Sequence, residues 1–340
     1  MKALLIGGTG NISLPISRRL LALGWELTLL NRGTNNHLLP GARHIQADIA
    51  DELDVANKLQ GLHFDVVAQF IAYLPGEVER DIRLFQGKCD QYIFISTASA
   101  YHKPPRSSLI DESTPLHNPY WAYSRAKAEC EAVLMRAYRE RGFPVTIVRP
   151  SHTYGPGHLP LAVRGKMGVW QIVQRMLQEK PVLVPGDGTS LWTVTWSDDF
   201  AVAFIGLMGN IHALGEAVHI TSDEALSWNQ IYATVAAALQ KPYIPCHVPS
   251  TLLAKVQGAD WEGGLLGDKA NCAVFDNTKI KRLVPGFYCP TRFDQGARLS
   301  LQWLMEHPEK QRPDPDFDIV CDRAAELMHT AAQGFSQMRL

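Results

Sequence analysis

The sequence lacks an excess of charge of either sign: 33 lysines and arginines face 34 acidic residues, and the formal net charge is −1. Without a basic excess the chain has no general means of holding a phosphate backbone, so nucleic acid is an unlikely partner. Its first apolar run, residues 3–6, is followed at once by glycines. That run is too short for a signal peptide or a membrane span, which predicts a cytoplasmic protein without membrane contact.

Paired cysteines are missing as well. Six cysteines are scattered along the 340 residues without a Cys-x-x-Cys pair, and no histidines and cysteines have the spacing of metal ligands. This pattern predicts free thiols in a reducing compartment and no metal site. Apolar residues, in contrast, make up 46% of the chain and charged residues 20%. We therefore expect a sizeable core, in one large domain or two fused ones.

Short apolar runs alternate with helix-periodic segments through the first half of the sequence. The predicted strands are 3–6, 27–30, 44–47, 66–71, 92–96 and 145–148, and the predicted helices are 12–23, 52–59, 78–86 and 120–141. Such alternation is typical of a parallel sheet covered by helices on both faces. The continuous apolar character of several runs agrees with burial on both sides. We predict an α/β fold with a doubly wound parallel sheet of the Rossmann type.

After Pro150 the pattern loosens, and prolines and glycines mark turns and loops. Helical periodicity returns at 169–178, 199–208, 228–239, 293–305 and 319–332. The sequence predicts a dinucleotide-binding domain over residues 1–165, with later segments near 190–222 returning to it. Residues 166–340 are predicted to form mainly a smaller α/β substrate lobe.

A glycine-rich turn, Gly-Gly-Thr-Gly-Asn-Ile-Ser over residues 7–13, follows the first predicted strand. Glycines permit a tight turn and let the backbone approach a pyrophosphate, and the helix that begins here directs free N–H groups at it. The simpler interpretation is a tight turn without a ligand, but the position between strand and helix favours nucleotide binding. The predicted cofactor contacts are Gly7, Thr9, Gly10, Asn11 and Ile12.

The second predicted strand ends at Asn31 and Arg32. Sites for NAD usually place an acidic residue here to bond the ribose 2′-hydroxyl, and this sequence has none. Arg32, with Asn31 beside it, can instead face a 2′-phosphate, the alternative being a solvated arginine. Asp48, after the third strand, is a candidate for the adenine edge. We expect NADP to be preferred over NAD.

Tyr123 and Lys127 lie four residues apart in a predicted helix and so share one face. A nearby ammonium and a cofactor ribose can lower the pKa of a phenol from about 10 toward neutrality, which makes it a usable acid or base. Hydroxyl residues Ser96, Thr97 and Ser99 follow the fifth predicted strand, at the edge where open α/β sheets hold ligands. The two segments together predict an active site.

In combination these motifs resemble the extended short-chain dehydrogenase/reductase superfamily, in its nucleotide-sugar epimerase and dehydratase branch. The resemblance rests on the glycine turn, residues 96–101, Tyr123 to Lys127 and Arg149-Pro150. Gly-Asp-Gly at 186–188 and Ser-Asp-Asp at 197–199 match landmarks of the second lobe, so the resemblance reaches to about Trp303. Residues 7–33 are similar to a subgroup that also contains plastid RNA-binding relatives.

The resemblance implies specific roles. Tyr123 is the expected catalytic acid/base, Lys127 holds the nicotinamide ribose and tunes Tyr123, and Thr97 hydrogen-bonds the reacting oxygen. Tyr123, Lys127, Pro150 and Ser151 are expected beside the cofactor. Family dehydratases carry acidic residues after the threonine, whereas Ala98 and Ser99 follow here, which disfavours a 4,6-dehydratase. Dimers are common in the superfamily, so a homodimer is an expectation by resemblance alone.

The predicted substrate contacts are Ser99, His152, Trp192 and Arg282. His152 either touches substrate or is structural. Relatives usually carry an arginine that grips the substrate diphosphate at the position of Trp192, which has one N–H donor and no charge. Trp192 can stack on a sugar or simply pack between lobes, and Arg282 matches a second position that can reach a diphosphate. The hypothesis is a small-molecule substrate without a nucleotide diphosphate: a sugar, a polyol or another small carbonyl compound.

Two functions of different classes remain. The first is an NAD(P)-dependent oxidoreductase or epimerase that acts on a carbinol or ketone by hydride transfer, with Tyr123 as acid/base. The alternative is a catalytically silent nucleotide- or RNA-binding protein that retains the same fold. The intact set of Tyr123, Lys127 and Thr97 favours the enzyme.

Overall fold

The structure is a computed structural model that describes residues 1–33 and 39–339. Its strands are β1 (Lys2–Ile6), β2 (Glu26–Asn31), β3 (Arg43–Gln46), β4 (Phe64–Gln69), β5 (Cys89–Ile95), β6 (Leu109–Ile110), β7 (Val145–Pro150), β8 (His152–Tyr154), β9 (Val182–Pro185), β10 (Leu191–Trp196), β11 (Ala217–Ile220), β12 (Ala225–Ser227), β13 (Pro245–Val248) and β14 (Val274–Phe275). Its α-helices are α1 (Ser13–Ala22), α2 (Glu52–Lys58), α3 (Pro75–Phe85), α4 (Ala122–Arg141), α5 (Trp170–Leu177), α6 (Ser197–Leu207), α7 (Trp228–Ala238), α8 (Ser250–Leu253), α9 (Trp261–Gly264), α10 (Thr278–Leu283), α11 (Phe293–Glu306) and α12 (Pro315–Ser336).

Seven of these strands form one parallel sheet in the order β11-β7-β5-β4-β1-β2-β3. From β1 the chain first builds outward through β2 and β3, and then returns to the other side of β1 to add β4, β5, β7 and β11. The strand order therefore reverses between β1 and β4, where doubly wound sheets bind ligands at the carboxyl ends of their strands. The predicted Rossmann-type fold is confirmed.

Helices cover both faces of this sheet because its strands are apolar on both sides. Leu4 and Ile6 of β1 pack into a core with α3 and α4, whereas Ala3 and Leu5 face a second core with α1 and α6. The alternation follows from the two-residue period of a strand. Since the strands are parallel, the loops that lead from each strand into the following helix emerge along the carboxyl edge of the sheet.

Strand β11 and the short strands of the second half were not identified from sequence. At four residues, Ala-Val-His-Ile, β11 has a weak periodic signal, and its central His219 is polar although fully buried. It pairs with β7, and α6 packs against the same sheet. This part of the second half of the chain therefore lies with the seven-stranded parallel sheet.

The smaller lobe is built from short sheets and helices that follow β7. A three-stranded sheet has the order β12-β10-β8, and β13 pairs with β9. Trp228 of α7, Phe293 of α11 and Phe317 of α12 are buried in a core shared with these strands. Among the residues described, no helix is long and apolar enough to cross a bilayer. The lobe is α/β in character, as predicted, and packs over the carboxyl edge of the main sheet.

Candidate active site

The glycine turn between β1 and α1 is shaped by close packing beneath it. Gly7 has φ +95°, and a Cβ there would lie 2.6 Å from Cγ2 of Ile71. A Cβ on Gly8 would lie 2.5 Å from Cδ2 of Leu29. The Ser13 hydroxyl donates to the Gly7 carbonyl at 3.1 Å and accepts from the Gly10 amide at 2.9 Å. Side chains are therefore excluded from the turn, and its backbone is held rigid at the start of α1.

The outer surface of the same turn is open. A Cβ on Gly10 would meet only the Ser13 hydroxyl, at 3.5 Å, and within the described chain the amides of Asn11 and Ile12 donate no hydrogen bond. Free amides at a helix start are what a pyrophosphate requires, so these residues fit a dinucleotide. The Asn11 side chain is engaged elsewhere, since its Nδ2 donates to the Thr153 carbonyl at 3.0 Å. Asn11 therefore offers its backbone, while its side chain ties the turn to β8.

The end of β2 lies beside the turn because β2 neighbours β1, and β3 follows on the outer side of β2. The Asn31 side chain accepts from the Gly33 amide at 3.1 Å, which folds the chain over at the end of β2. Arg32 is exposed, and its guanidinium has no ion pair with any residue of 1–33 or 39–339. Asp48 is exposed and accepts from the Ala50 amide at 3.0 Å. No carboxylate follows β2 directly, so Arg32 is free to meet a ligand.

A cavity of about 490 Å³ opens where the smaller lobe meets the carboxyl ends of β5 and β7. Seven of the predicted site residues line it: Thr97, Ser99, Tyr123, Pro150, Ser151, His152 and Trp192. Two motif segments and a strand of the second lobe are thus brought together in one site.

Arg282 is the predicted substrate residue that the structure places elsewhere. It is exposed on α10, a helix that packs through Ile280 against the core on the α1 and α6 face of the main sheet. Because α10 is held there, Arg282 does not line the cavity. The expectation that this cation reaches a substrate in the cavity is not supported by the fold.

A chain of hydroxyls fixes the position of Thr97. Its Oγ1 lies 2.9 Å from Oγ of Ser99, which lies 2.7 Å from Oγ of Ser124 in α4. Ser99 is buried, so most of its side chain serves this chain of contacts. Ser96 points the other way, toward the Glu131 carboxylate. Of the two neighbouring hydroxyls, Thr97 faces the cavity.

Lys127 lies behind Tyr123, one turn further along α4. Its ammonium donates to the carbonyls of Ala72 and Ile95, each at 2.7 Å, and lies 6.0 Å from the centre of the Tyr123 ring. An ammonium has three donors, so one remains for a ligand. Burial lowers the pKa of Lys127 to about 8.

The pKa of Tyr123 differs from the expectation drawn from its spacing to Lys127. Burial of the phenol raises its pKa to about 12, with a further increase from Tyr73, while the Thr97 hydroxyl acts in the opposite direction. Lys127 does not stabilise the phenolate here because its charge is turned toward main-chain carbonyls. The protein groups alone therefore keep Tyr123 protonated at neutral pH.

His152 and Ser151 follow β7 directly. Burial and the nearby cations Lys269 and Arg164 hold the pKa of His152 well below its usual range, so its imidazole is neutral. The Ser151 hydroxyl donates to the Thr193 carbonyl at 2.6 Å. Its side chain therefore ties β7 to β10, and what it presents to the cavity is mostly backbone.

Trp192 packs between layers of the smaller lobe. It is 3% exposed, its indole N–H donates to the Asn271 carbonyl at 3.1 Å, and its ring centre lies 5.3 Å from that of Trp228. The packing interpretation accounts for most of its surface, although an edge lines the cavity. Its donor is already used, which leaves only an apolar contact for a ligand.

Several cavity residues were missed by the sequence analysis: Lys103, Trp121, Arg164, Trp261, Asp268 and Lys269. Trp121 directly precedes α4, and its ring centre lies 5.0 Å from that of Tyr123. Its position in the sequence, two residues before Tyr123, was the one signal that could have identified it. Lys103 and Arg164 come from loops, whereas Trp261 begins α9 and Asp268 and Lys269 lie in the helical segment that follows it. None of these segments has a motif, and only the packing of the lobes brings them to the cavity.

Comparison with known proteins points to one family. The sequence profile of the NAD dependent epimerase/dehydratase family matches residues 83–220. The chain is 24% identical over 295 residues to 2'-dehydrokanamycin reductase of Streptomyces kanamyceticus, which covers 84% of this chain and 80% of the relative. It is 27% identical over 251 residues to chloroplast stem-loop binding protein of 41 kDa b of Arabidopsis thaliana, covering 70% of this chain and 63% of the relative.

Solved structures have the same architecture. UDP-glucuronic acid 4-epimerase from Bacillus cereus, in complex with UDP-glucuronic acid and NAD, superimposes with a TM-score of 0.73 at 19% identity. The match covers 90% of this chain and 99% of the other. At this level of identity the likeness concerns the fold, and substrate has to be argued from the cavity itself.

Proposed function

We propose that the chain belongs to the NAD-dependent epimerase/dehydratase family, whose profile matches residues 83–220, and that it is an NAD(P)-dependent oxidoreductase or epimerase of a sugar-like or small carbonyl compound. One observation carries the proposal. Thr97, Tyr123 and the segment from Pro150 to His152 line a single cavity at the carboxyl edge of the sheet. Proton donor, hydroxyl and cofactor side thus meet around one space large enough for a small substrate.

In this proposal the bound nicotinamide supplies or accepts a hydride, and the chain manages the proton. In the direction of reduction, Tyr123 donates its phenolic proton to the substrate oxygen as that oxygen gains charge. The phenol of Tyr123 is protonated at neutral pH, and it can donate because the alkoxide that forms on the substrate is the stronger base. The Thr97 hydroxyl donates a hydrogen bond to the same oxygen, held in position by Ser99.

Lys127 is proposed to bind the cofactor and to take no direct part in the proton transfer. Two of its hydrogens are bound by the carbonyls of Ala72 and Ile95, which leaves the third for a ribose hydroxyl of the cofactor. This arrangement orients the cofactor relative to Tyr123 without consuming the phenolic proton. The glycine turn would hold the pyrophosphate, with Pro150 and Ser151 near the nicotinamide and Asp48 near the adenine.

We propose NADP as the preferred cofactor, because the exposed Arg32 follows β2 where a carboxylate would be needed to bond a ribose 2′-hydroxyl. We propose further that the substrate lacks a nucleotide diphosphate. The position of the usual arginine clamp is occupied by Trp192, whose only donor is bound to Asn271. A sugar or polyol can instead contact the aromatic edges of Trp121 and Trp192.

The test of this function is Tyr123→Phe, which keeps the ring and removes the transferable proton. Turnover of a carbonyl substrate found by screening with NADPH should fall by about a hundredfold or more, while cofactor affinity stays nearly unchanged. Tyr120→Phe is the matched control, because Tyr120 is exposed just before α4 and does not line the cavity. Both variants are compared by steady-state kinetics and by fluorescence titration of NADPH.

Normal turnover by Tyr123→Phe would remove Tyr123 from the mechanism. The second candidate function, a catalytically silent binding protein, is favoured by the 27% identity to a plastid stem-loop binding protein. It predicts cofactor binding without hydride transfer on any carbonyl tested, together with salt-dependent binding of a structured RNA. The net charge of −1 argues against that outcome.

A further inference from the structure

Three charged side chains that the proposed reaction does not use line one part of the cavity: Lys103, Asp268 and Lys269. Nζ of Lys103 lies 3.8 Å from Oδ1 of Asp268, and Nζ of Lys269 lies 3.7 Å from its Oδ2. Both distances exceed a good hydrogen bond, so the two lysines flank the Asp268 carboxylate without closing on it. Two cations share one anion, which leaves this part of the cavity positively charged.

Lys103 is the unusual member of the group. It is 2% exposed, and its ammonium makes no hydrogen bond with any residue the structure describes. A buried ammonium with unused donors is costly unless something in the cavity accepts from it. Burial lowers the pKa of Lys103, with Asp268 acting against that change. Its donors are therefore available at a place that water or a ligand must fill.

Lys269 presents its charge to the same space. Its Nζ lies 5.9 Å from the ring centre of Trp121 and 5.8 Å from that of Trp192, with one long contact of 3.5 Å to the Gly264 carbonyl. Arg164 adds a further cation to the lining, and it has no ion pair within the described chain. Asp260 adds a second carboxylate to the lining, and the neutral His152 adds no charge.

Resting on the proposed function, we infer that the substrate is a monosaccharide-sized compound with an acidic group, whose oxyanion is held by Lys103 and Lys269. The shared chemistry is an oxyanion with several acceptor lone pairs, as in a sugar carboxylate or a sugar phosphate. Asp268 accepts from a hydroxyl of the same sugar, and its carboxylate has no hydrogen bond of its own in the residues described. The aromatic edge of Trp121 covers the apolar face of the ring, beside Tyr123.

The experiment measures binding without turnover, by calorimetry on the full chain saturated with NADPH. Four hexoses of similar size are compared: glucuronate, glucose 6-phosphate, neutral glucose and cationic glucosamine. At least one acid should bind about tenfold to a hundredfold more tightly than glucose, and glucosamine least well, because a charge-assisted bond is worth roughly that factor. The comparison of glucuronate with glucose 6-phosphate decides whether a carboxylate or a phosphate fits the site.

Variants test the assignment. Lys103→Met and Lys269→Met should each reduce the affinity for the better acid to about that of glucose, while Lys2→Met, an exposed site remote from the cavity, should have no effect. Thermal melting followed by circular dichroism checks that each variant is folded. If one of the two cavity variants does not fold, the other still tests the inference. Equal affinity for acid and neutral sugars, tightest binding by glucosamine, or no binding of either acid overturns the inference.

The outcomes separate this inference from the proposed function. Tight binding of an acid that is never oxidised, reduced or epimerised would keep the inference and refute the function. Turnover of neutral sugars with a KM that Lys103→Met does not change would keep the proposed function and refute the inference.

Discussion

At Tyr123 and Lys127, burial shifts the pKa values more strongly than the neighbouring charges do. Burial raises the pKa of Tyr123 to about 12 and lowers that of Lys127 to about 8. Since Tyr123 is then a proton donor and Lys127 a cation at neutral pH, the residues are suited to reduction as they stand. Oxidation needs the phenolate, which a positively charged nicotinamide would favour by attraction.

Arg32 carries the prediction on cofactor choice. Arg32→Ser should weaken NADPH binding by about tenfold to a hundredfold and leave NADH binding nearly unchanged, because only the former has a 2′-phosphate to form charge-assisted bonds. Fluorescence titration of both reduced cofactors measures it. Arg18→Ser, an exposed change on α1, is the control. Equal affinity of the native chain for the two cofactors, or a preference for NADH, would contradict the assignment.

At the scale of elements, a buried ion pair holds α4 against the sheet. Glu131 of α4 forms a bidentate pair with Arg149 of β7, with contacts of 2.6 and 3.0 Å, and accepts from the Ser96 hydroxyl at the end of β5. These contacts fix the position of α4, which carries Tyr123 and Lys127, relative to β5 and β7, whose ends form the cavity. The pair links the proposed catalytic motif to the fold.

Removing one partner of this pair should therefore be costly. Glu131→Gln leaves the Arg149 guanidinium buried without a counter-charge, and we expect the free energy of unfolding to fall by about 3–5 kcal/mol. Glu129→Gln, on the exposed face of the same helix, should change it by no more than about 0.5 kcal/mol. Urea unfolding of the three proteins makes the comparison. Similar stabilities of the Glu131 and Glu129 variants would show that the pair does not hold α4.

At the scale of the whole molecule, the site belongs to neither lobe alone. The main sheet contributes the ends of β5 and β7 and the start of α4, while Arg164, Trp192 and Lys269 come from the segments that follow. The lobes therefore have to pack correctly before a substrate can be recognised. Recognition of a substrate therefore depends on this packing and not on the local motifs alone.

The prediction at this scale concerns nucleotide sugars. With cofactor present, UDP-, GDP- and dTDP-sugars should bind more weakly than micromolar, because Trp192 stands where a diphosphate clamp would be needed. Calorimetry measures this directly. Micromolar binding that is lost in Arg164→Ala, a cavity residue, would show that a diphosphate site has survived there. Arg282→Ala serves as the comparison outside the cavity.

Much of the fold was predictable because it depends on local periodicity. The predicted strands and helices of the first half lie within a few residues of β1 to β5, β7 and α1 to α4. The short strand β11 was not predictable, because its four residues, which include the buried His219, have no clear hydrophobic periodicity. Its place in the sheet comes from pairing with β7, a contact between distant parts of the chain.

The residues of the site also fall into a group that was predictable from local sequence and a group that was not. The sequence by itself determined the residues that belong to local motifs, the glycine turn, Thr97, Tyr123 and Lys127, since each occupies a set position in a strand-turn-helix unit. Only the tertiary structure decided that Lys103, Asp268 and Lys269 face them, that Arg282 does not, and that Tyr123 keeps its proton. The physical reason is that burial and the distances between charges arise from packing between segments far apart in the chain, and no local pattern encodes them.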